Sequence, residues 1–132
     1  MFLGKLDQLE KEAFVSLAVH AAGANGVVEN EEYQMIEEYC QEMGIAFFDA
    51  RNLKTMESVI STFSGSEMKH KKIVVLELIG LMYADTDYDD EERSFVKDFT
   101  EKIGVLPEDT KKMEEVLLKY IDMTKELLEC IG

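Results

Sequence analysis

At 132 residues and 46% hydrophobic side chains, the chain can bury a real core, which excludes wholesale disorder. Its 28 acidic against 14 basic residues leave a formal net charge of −14, a surface that repels nucleic acid and anionic lipid. One proline, eight glycines and eight methionines favour long helices over a many-turned β protein.

In chain order, Leu6, Leu9, Ala13, Leu17 and His20 follow helical spacing and predict a first helix from about Leu3 to Ala24. Asn25-Gly26 ends it with residues that tolerate a left-handed backbone. Asn30 reads as an N-cap, with Glu31 and Glu32 in the favourable first turn. Tyr33, Ile36, Tyr39, Cys40 and Met43 then make an apolar face that Gly44 stops. Leu53, Met56, Ile60 and Phe63 predict a third helix, ending near Ser64-Gly65.

The fourth helix, about Glu67 to Ala84, is apolar almost all round in its later turns, the mark of a central, buried element. Phe95, Val96, Phe99 and Ile103 give a fifth, stopped by Gly104, and Pro107 opens a sixth. Its seam runs from Met113 through Leu117, Tyr120 and Thr124 to Leu128, with a break expected near Asp122. The fold class expected is all-α, with six to seven helices in two pseudo-symmetric three-helix halves, about 3–63 and 66–130, within one domain over 1–132.

The halves align at an offset of 60 without a gap: Ala24 with Ala84, Glu31 and Glu32 with Glu91 and Glu92, Ile36 with Val96, Gly44 with Gly104. That registered order predicts an internal duplication around a pseudo-two-fold axis.

The two turns that open the second and fifth helices run Ala24-Asn25-Gly26-Val27-Val28-Glu29-Asn30-Glu31-Glu32 and Ala84-Asp85-Thr86-Asp87-Tyr88-Asp89-Asp90-Glu91-Glu92. Six of the eight residues from Asp85 to Glu92 are acidic and none is basic. Crowded carboxylates repel, and a hard cation such as Ca²⁺ or Mg²⁺ would relieve them. Equally, a solvated cluster at a helix start gains about 0.3–1 kcal/mol per carboxylate from the dipole and needs no metal. A standard EF-hand is excluded, since Asp90 stands at the turn glycine and Val96 at the bidentate glutamate.

Both turns resemble the signature of TerB-like domains, helical proteins of bacterial tellurite-resistance and stress-response systems. The same fold occurs at the N-terminus of a membrane-anchored DnaJ-type co-chaperone. The likeness covers about Leu6 to Leu128. It implies a domain that binds or senses a divalent cation through Asp85, Asp89 and Glu92, with Asn25, Glu29 and Glu32 as a weaker set; Asp87, within the same acidic run, completes the expected ligands. Asn25 stands where the family has Asp, Thr86 where it has Gly, and Tyr88 where it has a small aliphatic residue, so the second turn is the better site.

Other residues read more plainly. His20 is a satisfied core histidine; His70, within Lys69-His70-Lys71-Lys72, lies on a solvent-facing basic helix start whose unfavourable placement hints at an acidic contact. Cys40 and Cys130 fit no metal or redox spacing and read as two buried, reduced thiols of a cytoplasmic protein. No signal-peptide core is present, and the stretch from Ile73 to Ala84, interrupted by Glu77, is too short to span a bilayer. No phosphate loop, nucleophile elbow, HExxH or Ser/His/Asp order occurs. The expectation is a non-enzymatic TerB-like binding domain; the alternative is an acidic helical module that meets a protein partner or a second copy of itself and carries no metal site.

Overall fold

Asp7, and not Leu3, starts the first long helix. Its carboxylate accepts the Glu10 N–H, and the Glu10 carboxylate accepts the Asp7 N–H, both at 2.9 Å. This capping box satisfies two donors that a helix start otherwise leaves orphaned. The computed structural model describes residues 1–24, 26, 30–46, 52–83 and 88–132. A 3-10 turn, Leu3–Lys5, leads into α1 (Gln8–Ala22), α2 (Asn30–Met43), α3 (Met56–Ser64), α4 (Met68–Met82), α5 (Asp90–Ile103) and α6 (Pro107–Cys130). The described residues hold six α-helices and no strand, so the all-α expectation stands.

The contacts do not divide into two separate three-helix halves. Helix α3 packs on α1 and also on α5, while α1 and α4 touch each other and most of the rest. That central position explains why both are apolar nearly all round, with Phe14, Leu17 and Ala18 buried on α1 and Val74, Leu78 and Leu81 on α4. Edge-to-face ring pairs join the layers: Phe14 with Tyr39 at 5.3 Å and Phe63 with Phe99 at 6.2 Å. Glu77, the acid within the apolar stretch of α4, is buried and satisfied, accepting the Phe2 N–H at 2.9 Å beside the Met1 ammonium.

Both stop glycines are left-handed, Gly44 at φ 69° and Gly104 at φ 85°. The next amide bonds back five residues, Ile45 N–H to Cys40 O and Val105 N–H to Thr100 O, which closes the helix end. Gly104→Ala therefore costs about 1 kcal/mol through the left-handed backbone alone, since no atom crowds the added methyl closer than 3.9 Å. Urea unfolding midpoints check this, and an unchanged midpoint would refute it.

Several details differ from the periodicity reading. Leu9 and Tyr33 are exposed, because the inward positions are taken by Glu10 and Glu32. Asn30 is the first helical residue of α2 and not its cap. Leu53 precedes α3, whose cap is Thr55 accepting the Ser58 N–H at 3.2 Å. Cys40 is buried but Cys130 is exposed, since no neighbour among the described residues covers the end of α6. Helix α6 runs unbroken through Asp122 and buries none of its residues fully. No helix among the described residues is long and apolar enough to cross a membrane.

Candidate functional site

The apolar stripes of α2 and α5 each continue, one turn toward the helix start, into a glutamate. Ile36, Tyr39, Cys40 and Met43 line the buried face of α2, and Glu32 lies four residues before Ile36. Val96, Phe99, Thr100 and Ile103 line that of α5, and Glu92 lies four residues before Val96. Since residues four apart share a helix face, both acids are carried inward with the core. Each is 1% exposed.

There the two carboxyls meet. Glu92 Oε1 accepts the Asp89 N–H at 3.4 Å, and the Asp89 carboxylate accepts the Glu92 N–H at 2.9 Å, a second capping box. The Glu92 carboxyl lies close enough to that of Glu32 for the two to interact, and two carboxyls can hydrogen-bond to each other only when one of them carries a proton. Its Oε2 is buried and finds no hydrogen-bond partner among the described residues. Burial raises the Glu92 pKa most, and the adjoining Glu32 carboxylate adds to it. The Asp89 backbone bond opposes them, and the balance lies at about 8.

The surrounding side chains hold the frame. Tyr83 and Tyr88, on either side of residues 84–87, pack edge to face at 5.0 Å. Arg93 covers the Tyr88 ring at 4.1 Å and binds Glu114 of α6 at 3.2 Å, while the Tyr83 hydroxyl donates to the same Glu114 oxygen. Tyr88 thus helps tie the start of α5 to α6. Between α1 and α5 an open groove of about 630 Å³ is lined by His20, Asp90, Glu91, Ser94 and Phe95. His20 Nε2 is bonded to Lys54 O at 2.8 Å, in keeping with a satisfied histidine.

Of the residues expected at a cation site, Asp89, Glu92 and Glu32 are gathered here. Asn25, Glu29, Asp85 and Asp87 lie outside the described residues. Glu32 and Glu92 do not belong to a solvated cluster, because the helix stripes draw them into the core; Asp90 and Glu91 are the ones that face outward. Among the described residues no group of three or more His, Cys, Asp or Glu is arranged to hold a metal ion.

A second polar node went unread in the sequence. Buried Glu10 accepts the Ser66 hydroxyl and lies 2.8 Å from His70 Nδ1, while His70 Nε2 lies 2.9 Å from Glu67. His70 is therefore not on a solvent-facing helix end; the acidic contact that its placement hinted at is internal.

No protein-family model matches the chain, and no curated protein does. Among solved structures, the crystal structure of a tellurite resistance protein from Nostoc punctiforme superimposes with a TM-score of 0.68, over 92% of this chain and 79% of that one. The two share one fold. At 16% sequence identity the likeness carries the fold alone, and that fold is the one the TerB-like resemblance implied.

Proposed function

We propose that this chain is a non-enzymatic, TerB-like binding domain of a bacterial stress or tellurite-resistance system, with a divalent-cation site built on Glu32 and Glu92. The observation that carries this reading is the buried carboxyl pair itself: two acids at equivalent helix starts, with one Glu92 oxygen left unbonded among the described residues. Burying two carboxyls is costly unless a proton or a cation stands between them. A hard cation such as Ca²⁺, Mg²⁺ or Mn²⁺ suits an all-oxygen donor set and would displace the shared proton. Asp89, and Asp85 and Asp87 of the second turn, are the further donors; Asn25 and Glu29 of the first turn are weaker ones.

The pairing also favours an internal duplication. Helices α1 and α4 span equivalent residues at an offset of 60, as do α2 and α5. Two contacts join residues exactly that far apart, Glu10 with His70 and Glu32 with Glu92. Residues that meet their own counterparts lie on a two-fold axis, so we read the halves as pseudo-symmetric and the cation site as lying on their axis. The chain is then one cytoplasmic domain in which neither half binds alone.

Titration with Ca²⁺ and with Mn²⁺, followed by backbone amide NMR, tests this. Signals of residues 30–34 and 85–92 are expected to respond together, and Glu92→Gln to abolish the response in both segments. Amide positions that stay fixed in both at millimolar metal would refute the cation site.

A further inference from the structure

Helix α6 has an exposed face that no other described residue covers. At 24 residues it is about 36 Å long, whereas α4, against which Leu117 packs over Gly80, has 15 residues and is about 22 Å long. Residues 125–132 are all exposed, so the last turns of α6 run past that support. Val116, Tyr120, Met123, Leu127 and Cys130 recur at intervals of four and three and form one continuous seam. All are exposed, Val116 at 48% and Leu127 at 59%. An alternation of four and three is the spacing of a helix that packs knobs into holes along another helix, and contiguous exposed apolar surface of this kind marks an interaction face.

We propose that this seam pairs with the same seam of a second copy of the chain, antiparallel, about a two-fold axis passing between Ile121 and Asp122. In that register Val116 meets Leu127 of the second copy and Tyr120 meets Met123, so every layer of the seam is apolar. The charges beside the seam select the orientation. On one flank lie Lys119 and Glu126, seven residues apart and of opposite sign, and the antiparallel register sets each beside the other's counterpart, giving two symmetric ion pairs. A parallel register sets Lys119 beside Thr124 of the second copy, where no ion pair forms. The other flank, carrying Leu117 and Thr124, leans toward the body and is partly buried, so the seam is open on the side a second helix needs. An overlap of four or five turns buries on the order of 1,000 Å² in total, the low end for a specific interface. The pairing is therefore a reversible, concentration-dependent dimer.

Sedimentation equilibrium of the full chain tests the proposal, with circular dichroism confirming that each variant keeps its helices. The expected results are a monomer–dimer equilibrium in the unaltered chain and a monomer for Leu127→Glu. Lys119→Glu and Glu126→Lys should each weaken dimerisation about tenfold, and the double exchange should restore it. Spin labels on Cys130 of the two copies should stand about 25 Å apart, as 17 residues of helix at 1.5 Å each require. A monomer at every concentration, or a dimer that survives Leu127→Glu, overturns the proposal. So does failure of the double exchange to restore what the single ones lose. A label distance below about 15 Å overturns the antiparallel register.

Discussion

Replacing Glu92 with glutamine is expected to stabilise the protein at pH 8, by about 2 kcal/mol, and to change little at pH 5. The direction follows from the raised Glu92 pKa, about 8 in the folded chain against an ordinary 4.5. Between those values the folded state holds a proton that the unfolded state has released, so stability falls as pH rises. The contribution is whole below about pH 4.5 and is lost as pH climbs through 8. Glutamine is neutral throughout, can still bond Glu32, and keeps an acceptor for the Asp89 N–H, so the capping box survives. The general repulsion of a chain at −14 also eases in acid, which makes the variant, and not the unaltered profile, the diagnostic. Thermal unfolding at the two pH values decides it. A Glu92→Gln protein less stable than the parent at pH 8 would show that the pair is not held together by a proton.

Glu10→Ala is expected to cost about 3 kcal/mol, the largest loss predicted for a single side chain here. Glu10 is buried and serves three groups at once: the Asp7 N–H at the start of α1, the Ser66 hydroxyl before α4 and the His70 ring on α4. Truncation leaves all three without that acceptor in a site that water reaches poorly. Glu10→Gln keeps the shape and one acceptor oxygen and should recover a substantial part of the loss. Chemical denaturation of the two variants measures both; equal midpoints for alanine and the parent would contradict the role given to Glu10.

These acids also show how much of the molecule could be read from its sequence. Helix number, the buried character of α4, both glycine stops and the proline start of α6 follow from local chemistry, so spacing and residue type were enough. The two misplaced inward positions share one cause. Where a stripe ran through an acid, the neighbouring apolar residue was taken as the inward one: Leu9 beside Glu10, Tyr33 beside Glu32. Stepping back four residues from Ile36 and from Val96 reaches Glu32 and Glu92, a signal present in the sequence but contrary to the rule that acids face water. That the two acids meet could not be read at all, because it depends on how α2 and α5 are brought together by α1 and α4. The same holds for α6, whose apolar seam is visible in sequence while the exposure of its last turns is a tertiary fact.

The buried carboxyl pair is the centre of the proposed site, and its protonation can be observed directly. Carbon-13 NMR of the glutamate side-chain carboxyls, recorded from pH 4 to pH 9 without metal and again with millimolar Ca²⁺ or Mg²⁺, follows Glu32 and Glu92 individually. Without metal one proton is expected to leave the pair near pH 8, and the cation to move this step to lower pH by competing for the same oxygens. If both carboxyls titrate below pH 5, no proton is shared and the pairing is contradicted. If the step near pH 8 is present but indifferent to the cation, the pair stands and its role as a cation site is contradicted.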